Sequence, residues 1–308
     1  MAWIWEPNPK YTFLRHYVDA VTRSCYRRLR VEGRDNIPTD GHVLLAPNHC
    51  CTLMDALVVL RLERIIGFGA RADIFANPKT ARILRFLRIV PLARERDGLA
   101  AVAGNASVFE EIVDCLGHNV PFCMFSEGRH RPERGMLPVQ RGIFRIASLA
   151  VEKLDGPIYI VPVGLDYEDF FRTQRDLTIR IGEPMEMRSR LEGVDGAALR
   201  EEYEALSIEL RERVLVLLKR TDAPSDARQS LAVRILKVIA AVLLLPLLAV
   251  LAVCALPIWL PYRILVSRMR DKAWSQTVRY GLRLALPIFW PFDILLSGIT
   301  NFIRGIFR

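Results

Sequence analysis

The stretch HVLLAPNHCCTLMD, residues 42–55, passes from a short apolar run through Pro47 into a polar turn and then into a helical pattern. An apolar run of five or so residues that ends in a turn and hands over to a helix reads as a buried strand feeding a strand-to-helix connection. Working outward, the same signature recurs. Apolar runs lie at Ile65–Gly69, Ile89–Leu92, Pro121–Phe125, Ile158–Gly164 and Leu177–Ile181. Helical patterns fall near 53–62, 78–87, 98–116 and 139–151, and 194–219 spaces leucine and valine among Glu and Arg as a further amphipathic helix. Strands alternating with helices predict an α/β domain with a mostly parallel sheet flanked by helices, over residues 31–220. Function is then expected at the carboxyl ends of the strands.

The ends of the chain differ from this middle. Residues 10–29 are expected to form an amphipathic helix, with Tyr11, Leu14, Val18, Val21 and Tyr26 roughly on one side and arginines elsewhere, preceded by Trp3 and Trp5. Residues 1–30 therefore form an N-terminal helix suited to a membrane interface, or equally an ordinary surface helix packed on the domain. The segment TDAPSDARQS, residues 221–230, is polar with one Pro and marks a linker over 221–231.

Residues 232–308 are expected to be a membrane-associated pair of helical runs. Val238 to Tyr262 carries no charged side chain; as a helix it would rise ~37 Å, enough for a ~30 Å hydrocarbon core. Leu284 to Ile303 is a second apolar run, interrupted by Pro287, Pro291 and Asp293. Arginines and lysines flank both runs and fill the loop between them, so two full spans would strand the most basic loop away from the α/β domain, against the positive-inside tendency. Runs that dip in and return, bent at Pro246, Pro257, Pro261, Pro287 and Pro291, keep every basic flank on the cytoplasmic face.

The chain of 308 residues has a formal net charge of +9 and is 51% apolar. A basic surface attracts nucleic acid, anionic lipid or acidic substrates; with no nucleic-acid module evident, lipid is the better partner for a chain with so apolar a tail. Six cysteines are scattered without paired spacing, and Cys50 and Cys51 are adjacent, which fits reduced thiols facing the cytosol. The N-terminus carries Glu6 and lacks a long apolar core, so no secretory signal is expected.

Within Asn48–Asp55, His49 and Asp55 are the candidate catalytic pair. Six residues apart, they would point about 120° away from each other on one continuous helix. They meet only if His49 precedes the helix and Asp55 lies in its first turn. A carboxylate on one ring nitrogen then fixes the tautomer and makes the other a general base for an alcohol. Other readings stay open: Asp55 completing a capping box begun by Thr52, His49 as a satisfied loop histidine, or a zinc site from His49, Cys50 and Cys51. No Gly-x-Ser-x-Gly elbow offers a nucleophile, which favours direct attack by a substrate hydroxyl.

A second segment, FSEGRHR at 125–131, ends another strand. Gly128 permits close backbone approach, and Arg129 and Arg131 can fork onto a phosphate or form a solvated basic loop. VPLARER at 90–96 places Arg94 just after a strand, and VPVG at 161–164 is a strand ending in Gly.

In their order these four segments resemble the glycerol-3-phosphate and lysophosphatidate acyltransferase family, through Asn48, His49 and Asp55, Arg94, then Phe125, Glu127 and Gly128, and Pro162 to Gly164. The resemblance covers roughly residues 25–190. The His-x5-Asp spacing has one residue more than the family's common pattern and looks like a divergent subgroup. His130 stands where the family usually has Arg, and Ser126 where it has Pro. The resemblance implies a glycerolipid O-acyltransferase that needs no cofactor beyond an acyl-CoA or acyl-carrier-protein co-substrate and no metal. His49 and Asp55 would be catalytic, with Arg94, Glu127, Gly128, Arg129 and Arg131 at the substrate phosphate and backbone amides of the first or fourth segment at the oxyanion. Membrane lipids, an acyl thioester and a phosphorylated glycerol or lysolipid would be the partners; nucleic acid would not.

Overall fold

The computed structural model describes residues 4–93, 98, 104–218, 235, 236, 238, 239 and 242–306. Arg94 and the expected linker 221–231 lie outside the described residues, as do parts of the patterns at 98–116 and 238–262.

Helix α1 (Pro9–Ser24) starts where Asn8 accepts from the backbone N–H groups of Lys10 and Tyr11, with Pro9 in the first turn. It ends five residues before the expected limit. Tyr26–Glu32 is instead a strand, β1, paired in parallel with Arg175–Ile181 (β7). The arginines at 27, 28 and 30 resemble the polar side of a helix, but they are the exposed positions of an edge strand, where charge blunts unwanted pairing.

The remaining strands are β2 (His42–Pro47), β3 (Gly67–Arg71), β4 (Ile89–Leu92), β5 (Phe122–Cys123), β6 (Ile158–Tyr167) and the short β8 (Met185–Glu186). The sheet runs β1-β7-β6-β2-β5-β3-β4, with β8 also on β6. Pairing is parallel from β6 through β2, β5 and β3 to β4; β7 and β8 run antiparallel to β6. Pro162 sits in central β6 without a ladder N–H. The position is tolerated because the strand beside it breaks between Ile181 and Met185, and Pro162 still accepts from Gly182 N–H at 2.9 Å.

Helices cover both faces. Leu44 and Ala46 point toward α4 (Asn105–Gly117), α5 (Gly142–Lys153) and, beyond the four-residue α6 (Arg188–Leu191), α7 (Gly196–Leu217). Val43 and Leu45 point the other way, into a second core with Met54 and Val58 of α2 (Leu53–Val59) and Val21 of α1. Helix α3 (Pro78–Phe86) lies between β3 and β4 in the chain. A strand buried on both faces explains the unbroken apolar run from Val43 to Ala46. Gly164 allows α7 to lie against β6: a Cβ there would come within 2.7 Å of Leu217 Cβ. The VPVG segment is thus sheet core.

The apolar C-terminal part forms α8 (Leu245–Arg268), α9 (Ser275–Ala285) and α10 (Trp290–Ile306). Helix α8 is the one described helix long and apolar enough to cross a membrane, rising ~36 Å over its length. It passes through Pro257 and Pro261 without ending, so neither proline marks a return bend. Leu251, Ala255 and Ile258 form its buried stripe, and the rest of its circumference exposes Leu, Val and Trp.

The second expected run is divided by a break before Trp290, and its charge is buried. Asp293 accepts from Arg279 Nε at 3.0 Å and Arg283 Nε at 2.8 Å, while Arg283 Nη1 donates to the Ser24 carbonyl at 2.7 Å. A buried ion group of this kind persists only when its members satisfy one another, and here it docks α9 and α10 on the end of α1. Tyr17 adds a hydrogen bond to the Leu284 carbonyl at 2.7 Å.

Candidate active site

Three adjacent strand ends, those of β6, β2 and β5, build the site at the carboxyl edge of the sheet. Asn48 continues β2 by a side-chain clasp. Its Oδ1 accepts from Leu165 N–H at 2.7 Å and its Nδ2 donates to the Leu165 carbonyl at 3.3 Å, so the residue before His49 is tied to β6. His49 then turns away from the sheet, and its ring stacks on Phe125 from the end of β5, with centroids 4.3 Å apart.

Asp55 stands in the first turn of α2 and is fully buried. Its Oδ2 accepts from His49 Nδ1 at 2.8 Å and from the backbone N–H groups of Cys50 and Cys51, each at 2.7 Å. Its Oδ1 accepts from the Tyr167 hydroxyl at 2.7 Å. Four donors converging on one carboxylate keep it an acceptor, so Nδ1 of His49 carries the proton and Nε2 is left with its lone pair. The imidazole side chain keeps 19% of its surface exposed while that of Asp55 keeps none. The base faces outward and its orienting group faces the core.

The turn between them is held at the cost of strain at Thr52, a β-branched residue with φ 52°. That conformation aims two consecutive amides at Asp55. It also rules out the capping box, since Thr52 makes no cap hydrogen bond and its Oγ1 pairs with Thr277 Oγ1 at 2.9 Å. The zinc reading fails on direction. The Cys50 thiol turns to the Glu133 carbonyl and that of Cys51 to the Phe170 carbonyl. Burial, with Asp55 nearby, pushes both thiols well above their ordinary range, opposing the thiolate that a metal would need.

The other expected residues fare unequally. Glu127 is buried and belongs to the site's foundation. Its Oε1 accepts from His49 N–H at 2.6 Å and its Oε2 from Leu137 N–H at 2.7 Å, so it fixes backbone and is no arm toward a phosphate or brace for an arginine. Burial raises its carboxyl above the usual range against those two bonds. Gly128 is exposed at φ 68°, a turn that favours glycine. Arg129 is exposed on the same turn. Arg131 is exposed, pairs with Glu133 at 3.3 Å, and donates its backbone N–H to the His49 carbonyl at 3.1 Å. Arg94 lies outside the described residues. The amides expected at the oxyanion are already engaged: those of residues 48–51 donate to Val163, Glu127 and Asp55.

Sequence reasoning missed Tyr167, the second support of Asp55. Burial and the adjacent Asp55 charge push its phenol well above the ordinary range, so it remains a donor. Its only signal was a tyrosine three residues beyond the apolar run Ile158–Gly164. A cavity of about 600 Å³ between α1 and β1, lined by Arg23, Tyr26, Arg27 and Arg28, involves none of the residues around His49.

An imidazole held by a buried carboxylate at the carboxyl edge of a mostly parallel α/β sheet is an arrangement suited to take a proton from a substrate. Residues 28–166 match the family model described as Acyltransferase, so the chain carries an acyltransferase domain over that stretch. Among solved structures it is similar to the crystal structure of the 1-acyl-sn-glycerophosphate (LPA) acyltransferase PlsC from Thermotoga maritima, at 21% identity over 69% of this chain and 83% of that chain, with a TM-score of 0.48. No curated protein matches the chain.

Proposed function

We propose that this enzyme esterifies a hydroxyl of a lysophosphatidate-type acceptor with a fatty acyl group from acyl-CoA or an acyl carrier protein, at the cytoplasmic face of a membrane. The observation that carries the reading is the His49–Asp55 hydrogen bond of 2.8 Å, which leaves Nε2 free to act as a base.

His49 Nε2 takes the proton of the acceptor hydroxyl as its oxygen attacks the thioester carbonyl. The tetrahedral intermediate collapses with cleavage of the carbon–sulfur bond, and the imidazolium returns its proton to the departing thiolate. Asp55 stabilises the imidazolium between the two steps, and Tyr167 and the two cysteine amides hold Asp55 in place. The arginines at 94, 129 and 131 bind the acceptor phosphate. The acyl thioester is a co-substrate, and the proton transfers need no further cofactor. Helix α8 supplies the apolar surface that keeps the enzyme where its amphiphilic substrates are.

The test is thioester consumption by the purified protein against a panel of glycerol-3-phosphate, lysophosphatidate and other lysophospholipids. Turnover is expected with lysophosphatidate and its loss in His49→Ala. A His49→Ala protein that matches wild type would exclude this mechanism, and preference for glycerol-3-phosphate would move the reading to that acceptor.

A further inference from the structure

Two histidine–carboxylate pairs meet at the mouth of the site, and only one belongs to the mechanism above. Three residues past the end of α8, the chain turns at Asp271 and comes back over the loops that carry His49 and His130. Asp271 Oδ2 accepts from His130 Nε2 at 2.7 Å, and its Oδ1 accepts from Ala273 N–H at 2.9 Å, capping the turn. The His130 ring stands edge-on to His49, with centroids 5.7 Å apart at 76°, and edge-on to Trp274 at 6.3 Å and 89°.

The same return segment is fastened along its length. Gln276 donates to the Asp169 carbonyl at 3.0 Å, and Thr277 bonds Thr52 at the strained turn before α2. Partial burial pushes the Asp271 carboxyl up, and the bonds from His130 and Ala273 outweigh it, leaving the group below its usual range. Of the three basic side chains at 129–131, His130 is the one tied to a separate element, since Arg131 pairs within its own loop.

We propose that Asp271 is a positioning residue for acyl transfer, which holds His130 beside His49 so that its ring grips the anionic head of the acceptor. The inference rests on the acyltransferase reading and adds to it a wall contributed by the C-terminal segment. Between Asp271 and a phosphate the ring would act as an imidazolium, whose two nitrogens both donate; with Nε2 committed to Asp271, Nδ1–H is presented in a fixed direction rather than left to rotate. The wall begins where the apolar helix α8 leaves off. An acceptor whose chain lies in lipid and whose phosphate reaches the protein would meet His130 at that boundary. The acyl-transfer site and the membrane-seeking helix would then be a single unit.

The experiment compares binding of lysophosphatidate with that of the monoacylglycerol of the same chain, by titration calorimetry on the full-length protein in detergent. It uses wild type, His49→Ala, His130→Gln, Asp271→Asn and the His130/Asp271 double variant. Asp271→Asn keeps the cap on Ala273 through its amide oxygen and turns an amide N–H toward His130, so the fold is spared. Each of His130→Gln and Asp271→Asn is expected to weaken lysophosphatidate binding about ten-fold, the scale of one charge-assisted hydrogen bond. The double variant should lose no more than either. Monoacylglycerol binding should not change, and His49→Ala should still bind lysophosphatidate more tightly than monoacylglycerol. In turnover, acceptor KM should rise about ten-fold with kcat nearly unchanged.

Unchanged lysophosphatidate affinity in Asp271→Asn, equal losses for both lipids, multiplying losses in the double variant, or a wild type that does not tell the two lipids apart would each overturn the proposal. A wild type that shows the expected binding pattern but transfers no acyl group would refute the acyl-transfer reading and leave the role of Asp271 in binding standing.

Discussion

The turn after β2 and helix α8 each put side chains on the unexpected side of the protein. In the turn, Asn48, Thr52 and Asp55 are buried polar groups, each satisfied by neighbours at fixed distances. In α8, Val250, Val253 and Leu260 are apolar groups left exposed. A buried carboxylate without partners costs several kcal/mol, and an exposed apolar helix side forgoes the stabilisation that burial gives. Soluble folding alone favours neither. On the proposed function, the turn is explained by a reaction that needs an oriented base, and the helix by a surrounding that is not water. One region is rigid because its hydrogen bonds are all made inside the chain. The other leaves most of its apolar side chains without partners inside the chain.

The comparison breaks most sharply at His49. His49→Ala is expected to lower turnover by ~10²–10⁴ with the melting temperature nearly unchanged, because the lost ring contributes reactivity more than packing. Next in size is Val253→Asp on the exposed side of α8, where valine is 66% accessible. An aspartate at the centre of an inserted helix is disfavoured by ~2.5–3.5 kcal/mol, so the protein's partition onto lipid vesicles should fall roughly 10²-fold while its activity in detergent persists. Vesicle flotation checks this, and unchanged flotation would show that α8 does not enter lipid.

Tyr167→Phe should have a smaller effect. It removes one of four donors to Asp55, and kcat is expected to drop roughly ten-fold with acceptor KM unaltered, a change in transition-state stabilisation of ~1.4 kcal/mol. Equal kcat in the variant would reduce Tyr167 to a packing residue.

The smallest effect concerns Glu127. Its folded carboxyl is raised above the ordinary value of 4.5 by burial. The stability linked to this group is fully present below the unfolded value and is lost as pH rises through the folded one. Chemical denaturation of wild type should therefore show stability falling with pH across that window. Glu127→Gln should flatten the slope there, and an unchanged slope would argue against a shifted carboxyl.

Much of this was legible in the sequence, for reasons that differ by region. Six of the eight strands announce themselves because apolar runs bounded by turns leave few alternatives, as at His42–Pro47. The edge strand Tyr26–Glu32 was hidden because its arginines suit a helix surface as well as a strand edge. The meeting of His49 and Asp55 follows from their spacing once the helix is placed to start between them. Tyr167 and Asp271 were out of reach, since their approach to the site depends on the alignment of β6 with β2 and on the return of the chain after α8. Glu127 is legible as a site residue, but its role is not. In sequence a glutamate among arginines reads as a partner of charge, whereas its position beneath the turn directs it to amides.

Five of the six cysteines are buried, and Cys254 on α8 is partly so. The two thiols nearest the His49 imidazole are held protonated by burial and by the Asp55 charge. Alkylating agents that poison many enzymes through a reactive sulfur would find little to attack beside His49. The native chain is accordingly a quiet background on which a single introduced thiol, with Cys254 replaced, can report which surfaces of the molecule face lipid and which face water.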